Sequence, residues 1–374
     1  MTLALSSSAV CAATLTVGPS EAIMTIAAAA LLAKDGDTVM IMPGEYRGDV
    51  AVWHQKRLSI IGVAPRPVLV ADGKIAEDKA IWVFKDGEFD VDNIEFRGAR
   101  AEDRNGAGIR FEHGRLSVRN AVFSDNQTGI LTANFEDAHL SITDSVFTQA
   151  PEQFDSLPHL LYVGRIGSVE ITGSRFHAGH IGHLIKSRAR QTTLRYNLIY
   201  DGPGGKASYE VDLPNGGDAL LVGNIIGQSS DTDNPTVIAY GAEGNVWPNS
   251  RLRLAHNTLL SDNLIGAWFL RVWEENLPDG ANVIGINNLT VGLGLFTLAA
   301  PGEFSGNFPL LPGALAGDIL DFSLPGDSLL RGWVDPIAEG DPLRPTAEFT
   351  LPVGSRPIPA QDEWVPGARQ TALY

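Results

Sequence analysis

The sequence predicts an all-β solenoid, short parallel strands wound coil upon coil, and three observations carry that prediction. From Val91 onward a short unit recurs: VDNIEF ending at Phe96, VRNAVF at Phe123, ITDSVF at Phe147, ITGSRF at Phe176, LRYNLI at Ile199, LVGNII at Ile226, LAHNTL at Leu259 and GINNL at Leu289. Repeats spaced by 23 to 33 residues, built of strand-like runs with few helical patterns between them, are the mark of stacked β-coils. Each unit is followed by a second apolar run, such as GIRF, GILT, LLYV, HLIKS, SYEVDL, TVIAY or WFLRV. Finally, 374 residues with 44% hydrophobic content, 40 Gly and 22 Pro give a large core interrupted by many tight corners.

In chain order, MTLALSSSAVCAATL has a short apolar region followed by small residues, so residues 1–13 read as the remnant of a signal peptide, with its basic start missing. Residues 14–374 then form a single domain. SEAIMTIAAAALLA is Ala-rich with Ser20 placed as N-cap and Gly36 past its end, which predicts an N-terminal capping helix over 20–34. DGDTVMIMPGEYRG and RLSIIGV are strands, each closed by a turn or glycine. In the repeats, stacking predicts an internal column of Phe96, Phe123, Phe147 and Phe176, and a corner ladder of Asn197, Asn224, Asn257 and Asn288, each amide bonding the next. From residue 301 to 374 the composition turns to Pro, Gly and Leu, predicting a last incomplete coil and an irregular C-terminal tail that runs back over the side and covers an exposed edge.

A net charge of −16 argues against nucleic acid and anionic membranes as partners, since both require a basic footprint. No run after the first residues approaches the roughly 18 apolar residues of a membrane span. The single cysteine, Cys11, falls in the leader, so the mature chain suits a secreted or periplasmic, bacterial setting. No phosphate-cradling loop, dinucleotide fingerprint or nucleophile elbow is present, and no nucleotide or organic cofactor is expected.

The densest chemistry lies between Phe176 and Gly217. If Ile185 and Ser187 face inward, alternation turns Lys186 and Arg188 outward; on the next coil it turns Glu210 and Asp212 outward and Tyr209, Val211 and Leu213 inward. Glu210, Asp212 and Asn215 supply three oxygens within one turn, which suits Ca²⁺. Glu210 and Asp212 also suit the acid and base of a glycosidase, or ion pairs with Lys186 and Arg188 one coil below, and the three readings stay open. Tyr162 and Arg165 on the coil before, Tyr240 and Glu243 on the coil after, and Arg271 with Trp273 one further extend the outward column. With His183 and Tyr209 they are candidate contacts for a polysaccharide, aromatic faces for the rings and charges for carboxylates and hydroxyls. Thr232 to Thr236 and Glu274 to Gly280 are the expected groove walls. His177, His180 and His183 make an H-x2-H-x2-H run, but a turn followed by a strand does not bring three such side chains to one zinc ion.

The opening helix, GDTVMIMPGEY, LSIIG and the repeats together resemble the right-handed parallel β-helix proteins of the pectate-lyase superfamily over nearly the whole chain. Within that resemblance, LIKSRARQTTLRYNLI is similar to the lysine-serine segment of chondroitinase B and the related alginate lyases, in which a coil ending in Arg-His-Gly follows about one turn later. Here that coil reads YEVDLPNGG, without the Arg and His. The resemblance implies a lyase that cleaves a uronate-containing glycan by β-elimination, with Lys186 as base, the one position it carries over. From the chemistry of the residues themselves, Arg188 would neutralise charge or stand by the leaving group, and Glu210 is a further catalytic candidate. A glycoside hydrolase using Glu210 and Asp212, and a noncatalytic carbohydrate-binding or surface protein, are the alternatives.

Overall fold

The computed structural model describes residues 12–152, 156–298, 300, 302–315 and 320–371, so most of the expected leader, with Cys11, lies outside the described residues. The chain winds into a right-handed parallel β-helix of about ten turns. Each full coil lays one strand on each of three parallel ladders. The first ladder carries Thr128–Thr132, Leu161–Val163, Ile185–Ser187, Val211–Leu213, Thr236–Tyr240 and Ala267–Val272 in successive coils. The second carries His139–Thr143, Ser168–Thr172, Gln191–Arg195, Asp218–Val222, Arg251–Ala255 and Asn282–Ile286. The third runs from Glu45–Arg47 to Phe308–Leu310.

The repeating unit is legible as the corner between the second and third ladders. Its third residue adopts a left-handed backbone in coil after coil: Asn93, Asn120, Asp144, Gly173, Tyr196, Gly223, His256 and Asn287 all have φ between 49 and 66°. Asn, Asp and Gly tolerate that conformation best, which is why they dominate the position. The side chain that follows points into the corner. Asn197 Nδ2 donates to Asn224 Oδ1 (2.9 Å), Asn224 to Asn257 (3.0 Å) and Asn257 to Asn288 (2.9 Å), and the ladder continues one coil beyond expectation to Asn307 (2.9 Å). Inside, Phe96, Phe123, Phe147 and Phe176 stack with centroids 4.6 to 5.1 Å apart and planes within 13° of parallel. The last repeat is shifted by one residue from its expected alignment, for Leu259 pairs with Thr290 and Leu289 with Thr258. The asparagine column, rather than the apolar one, sets that register.

The capping helix is shorter than expected. It spans Ile26–Leu32, and its N-cap is Thr25, whose hydroxyl accepts from Ala28 N, not Ser20. Residues before it belong to the strand Thr14–Val17 and its exit turn. Asp49 accepts from Ile26 N and Ala27 N, and Gln55 Nε2 donates to Ala30 O and Ala33 O, so both helix ends are satisfied by the coil they cover. Ile26, Ala29 and Ala30 are buried, closing that end of the core. The tail packs Leu324, Leu330, Phe349, Val365 and Ala368 on Leu198, Ile225, Leu260, Leu289 and Val291, along the side of four successive coils of the third ladder. None of the described helices is long and apolar enough to cross a membrane.

Candidate functional site

Strict register on the first ladder produces one outward column at mid-solenoid. Leu131, Tyr162, Lys186, Asp212, Ala239 and Arg271 are paired coil to coil. Their neighbours Leu161, Val163, Ile185, Val211, Leu213, Ile238 and Tyr240 belong to the core. Lys186 and Asp212 are therefore stacked in adjacent coils because their strands are in register, and Lys186 Nζ lies 3.1 Å from Asp212 Oδ2. The outward face is not open here. It is covered from one side by the segment after Tyr240, from which Glu243 and Trp247 reach down, and from the other by a ring stack.

Glu243 spans the two cations, with Oε1 2.6 Å from Lys186 Nζ and Oε2 2.6 Å from Arg188 Nη2. Arg188 is further fixed by Nε donating to Tyr162 Oη (3.1 Å) and Nη1 donating to Asn215 Oδ1 (2.9 Å). Trp247 donates its Nε1–H to Arg188 O (3.0 Å) and lies under the Arg165 guanidinium, 3.9 Å from the ring centroid. Arg271 covers Trp273 at 4.3 Å three coils above Lys186. In a chain of net charge −16, the site thus gathers Arg165, Lys186, Arg188 and Arg271 along one wall.

The second wall is a column three residues upstream of the first. His159 and His183 stack at 4.8 Å, and His183 and Tyr209 at 4.7 Å. Each histidine Nδ1 accepts a backbone N–H from the coil above, from His183 N (2.9 Å) and Tyr209 N (3.2 Å). The ring proton of His183 must then sit on Nε2, which points at Asp212 Oδ2, 3.3 Å away. Burial, with Lys186 and Arg188 nearby, pushes His183 down to about 3, so the ring is a fixed neutral donor. Burial raises Asp212 to about 6 against the opposing pull of Lys186. In Glu243 burial acts upward too, but the hydrogen bonds from Lys186 and Arg188 outweigh it and hold the carboxyl below its ordinary value.

Two candidate residues do not face the site. Glu210 is 0% exposed, and neither carboxylate oxygen has a hydrogen-bond partner among the described residues. The reason is that alternation starts only at Val211. Before it the chain bends, and the equivalent residues one coil below, Leu184 and Ile185, are both in the core. The charge that Glu210 senses is Asp201, another buried carboxylate, not Lys186. Tyr240 is likewise fully buried in the core, its hydroxyl donating to Gly217 O (2.6 Å). Tyr209, expected to face inward, instead stacks on His183 outside.

Glu210, Asp212 and Asn215 consequently do not fit a calcium ion. Glu210 is turned away, Asp212 Oδ2 receives Lys186, and Asn215 Oδ1 receives Arg188, so cationic side chains already stand where the metal would. His177, His180 and His183 do not converge either. His177 bonds Thr148 on the third ladder while His183 belongs to the stack, and no three His, Cys, Asp or Glu among the described residues are grouped for a metal. His159 and Trp247 were missed by pattern reading. His159 precedes Tyr162 by three residues as His183 precedes Lys186 and Tyr209 precedes Asp212, so coil alignment alone would have found it; Trp247, on a segment outside the repeat, left no such signal.

No protein-family model and no curated protein matches the sequence. Among solved structures, the chain is similar to that of pectate lyase Pel9A, with a TM-score of 0.66, 12% identity and 96% of each chain covered. At that identity the likeness is one of fold.

Proposed function

We propose that the chain is a secreted or periplasmic polysaccharide lyase that cleaves a uronate-containing glycan by β-elimination at Lys186. The observation that carries the reading is the Lys186–Arg188 pair, both holding one carboxylate between an aromatic hydroxyl and a buried acid. The likeness of LIKSRARQTTLRYNLI to the lysine-serine segment of chondroitinase B and alginate lyases points the same way, as does the lyase fold.

Elimination beside a uronate needs the C5 proton removed, the carboxylate neutralised as charge flows into it, and the C4 oxygen protonated as it leaves. Lys186 passes its ammonium proton to Asp212, 3.1 Å away and raised by burial to about 6, and then takes the C5 proton; the C5–H electrons become the C4=C5 double bond and the C4–O bond breaks. Arg188 binds the substrate carboxylate and stabilises the charge that develops there. Tyr162 gives its hydroxyl proton to the leaving oxygen, and Arg188 Nε, 3.1 Å from that hydroxyl, stabilises the tyrosinate left behind. Asp212, on the coil above, holds Lys186, and His183 holds Asp212 in turn. Tyr209, Trp247, Arg165 and the Arg271–Trp273 pair flank the centre as sugar-contact surfaces.

No step needs a calcium ion at Glu210, Asp212 and Asn215. Cleavage of a uronate polymer is accordingly expected to persist in excess EDTA, and a loss that added Ca²⁺ alone restores would return that trio to the site. The assay that tests the main reading is a panel of anionic and neutral glycans followed for new reducing ends and for ultraviolet absorbance of the unsaturated product.

A second reading has its own observation. Asp212, raised to about 6, and Glu243, lowered, both touch Lys186 Nζ, and carboxyls pushed apart in this way suit the acid and base of a hydrolase. It predicts reducing ends with no ultraviolet-absorbing product. A binding protein with no catalysis predicts neither.

A further inference from the structure

We propose that Glu243 is a built-in stand-in for the substrate's uronate carboxylate, seated in the subsite formed by Lys186 and Arg188 and displaced from it when substrate binds. The inference rests on reading those two residues as the cationic centre of the site, and it adds the device that selects for anionic sugars.

The geometry is that of a bound ligand. One carboxylate bridges two different cations through its two oxygens, each at 2.6 Å, the arrangement a uronate carboxylate would adopt in the same place. It is also the outermost member of the cluster: the Glu243 side chain is 43% exposed, against 9% for Lys186, 20% for Arg188 and 2% for Asp212. A ligand arriving from solvent meets Glu243 first.

The cations do not depend on Glu243 for their positions. Lys186 keeps Asp212, and Arg188 keeps Tyr162 and Asn215, so removal of the Glu243 carboxylate leaves a preorganised anion site. Nor does displacement require a loop to open. Gly241 N donates to Leu213 O and Glu243 N to Pro214 O, both at 3.0 Å, which pins the backbone while the side chain remains free to rotate about its own torsions. A uronate can exchange for Glu243 at no loss of ion pairs, whereas a neutral sugar would strip two cations of their partner and offer only hydroxyls. Discrimination thus comes from the cost imposed on the wrong ligand.

The test is calorimetric binding of galacturonate, mannuronate and guluronate trisaccharides, and of their carboxyl-reduced counterparts, to the wild-type chain and to Glu243→Gln, Glu243→Ala and Glu136→Gln. Glu136 is a control for bulk charge, since it is exposed and lies 3.9 Å from Arg165, outside the clamp. Removing an internal competitor raises the fraction of binding-competent sites, so both Glu243 variants should bind the preferred uronate about tenfold tighter or more. Glu136→Gln should gain less than about twofold, and the reduced sugars should bind weakly throughout. Equal or weaker uronate binding by both Glu243 variants, or an equal gain in Glu136→Gln, overturns the stand-in role while leaving the lyase reading intact. Absence of uronate binding by wild type and variants alike overturns both. Melting curves of each variant establish that it is folded before it is scored.

Discussion

Lys186→Ala is expected to lower the turnover of uronate-polymer cleavage by about 10² to 10⁴-fold, the range that a positioned general base contributes. The loss should fall mainly on kcat, with a smaller rise in KM, because Lys186 is one of the two cations of the carboxylate subsite while Arg188, Arg165 and the aromatic surfaces that hold the chain are untouched. The variant also leaves Asp212, 2% exposed, without its cation. That carboxyl already titrates at about 6 and can stay protonated, so the fold should survive below neutral pH and weaken above it. Activity and thermal unfolding are therefore to be measured at the same pH. A folded Lys186→Ala variant that retains cleavage within about threefold of wild type would place the base elsewhere. If cleavage is lost while uronate binding persists, the binding-only alternative is excluded, because it assigns Lys186 no product to lose.

The second large effect concerns stability and comes from Glu210. Burial, reinforced by Asp201, raises its carboxyl well above the ordinary value of 4.5. The folded chain then holds a proton that the unfolded chain releases above that value. Stability from this group is complete below pH 4.5 and falls as pH rises toward the folded value. Asp201 and Asp212, both pushed up to about 6, act with the same sign between their ordinary 3.8 and 6. The wild-type denaturation midpoint should therefore decline on going from mildly acidic to mildly alkaline buffer. Glu210→Met, similar in size and apolar, removes a buried acid with two unpaired oxygens and should stabilise the fold by about 1–3 kcal/mol at neutral pH while flattening that decline. Equilibrium unfolding in urea across the pH range measures both. A destabilised Glu210→Met with an unchanged pH profile would mean that Glu210 is ionised and paired in the fold. Unlike Lys186→Ala, this substitution should leave the cleavage rate nearly intact, since Glu210 does not reach the outer wall.

The amino-acid sequence by itself determined the solenoid, its coil boundaries, the phenylalanine stack and the asparagine ladder. These are properties of a repeat: one residue type at one position recurs coil after coil, and parallel stacking has a single way to satisfy them all. It also determined that Tyr162, Lys186 and Asp212 share an outer face, since each lies inside a regular strand where side chains alternate. What only the tertiary structure decided is everything that lies where the repeat is broken. Glu210 sits one residue before its strand, in a bend where alternation does not hold, and so turns into the core instead of toward Lys186. Glu243 was expected on the outer column as a substrate contact, but its bridge between Lys186 and Arg188, and Trp247 altogether, come from an irregular segment whose path periodicity does not encode. Their placement over Lys186 and Arg188 follows from long-range packing and charge pairing, between residues as far apart as 59 positions in the chain, which no local pattern encodes.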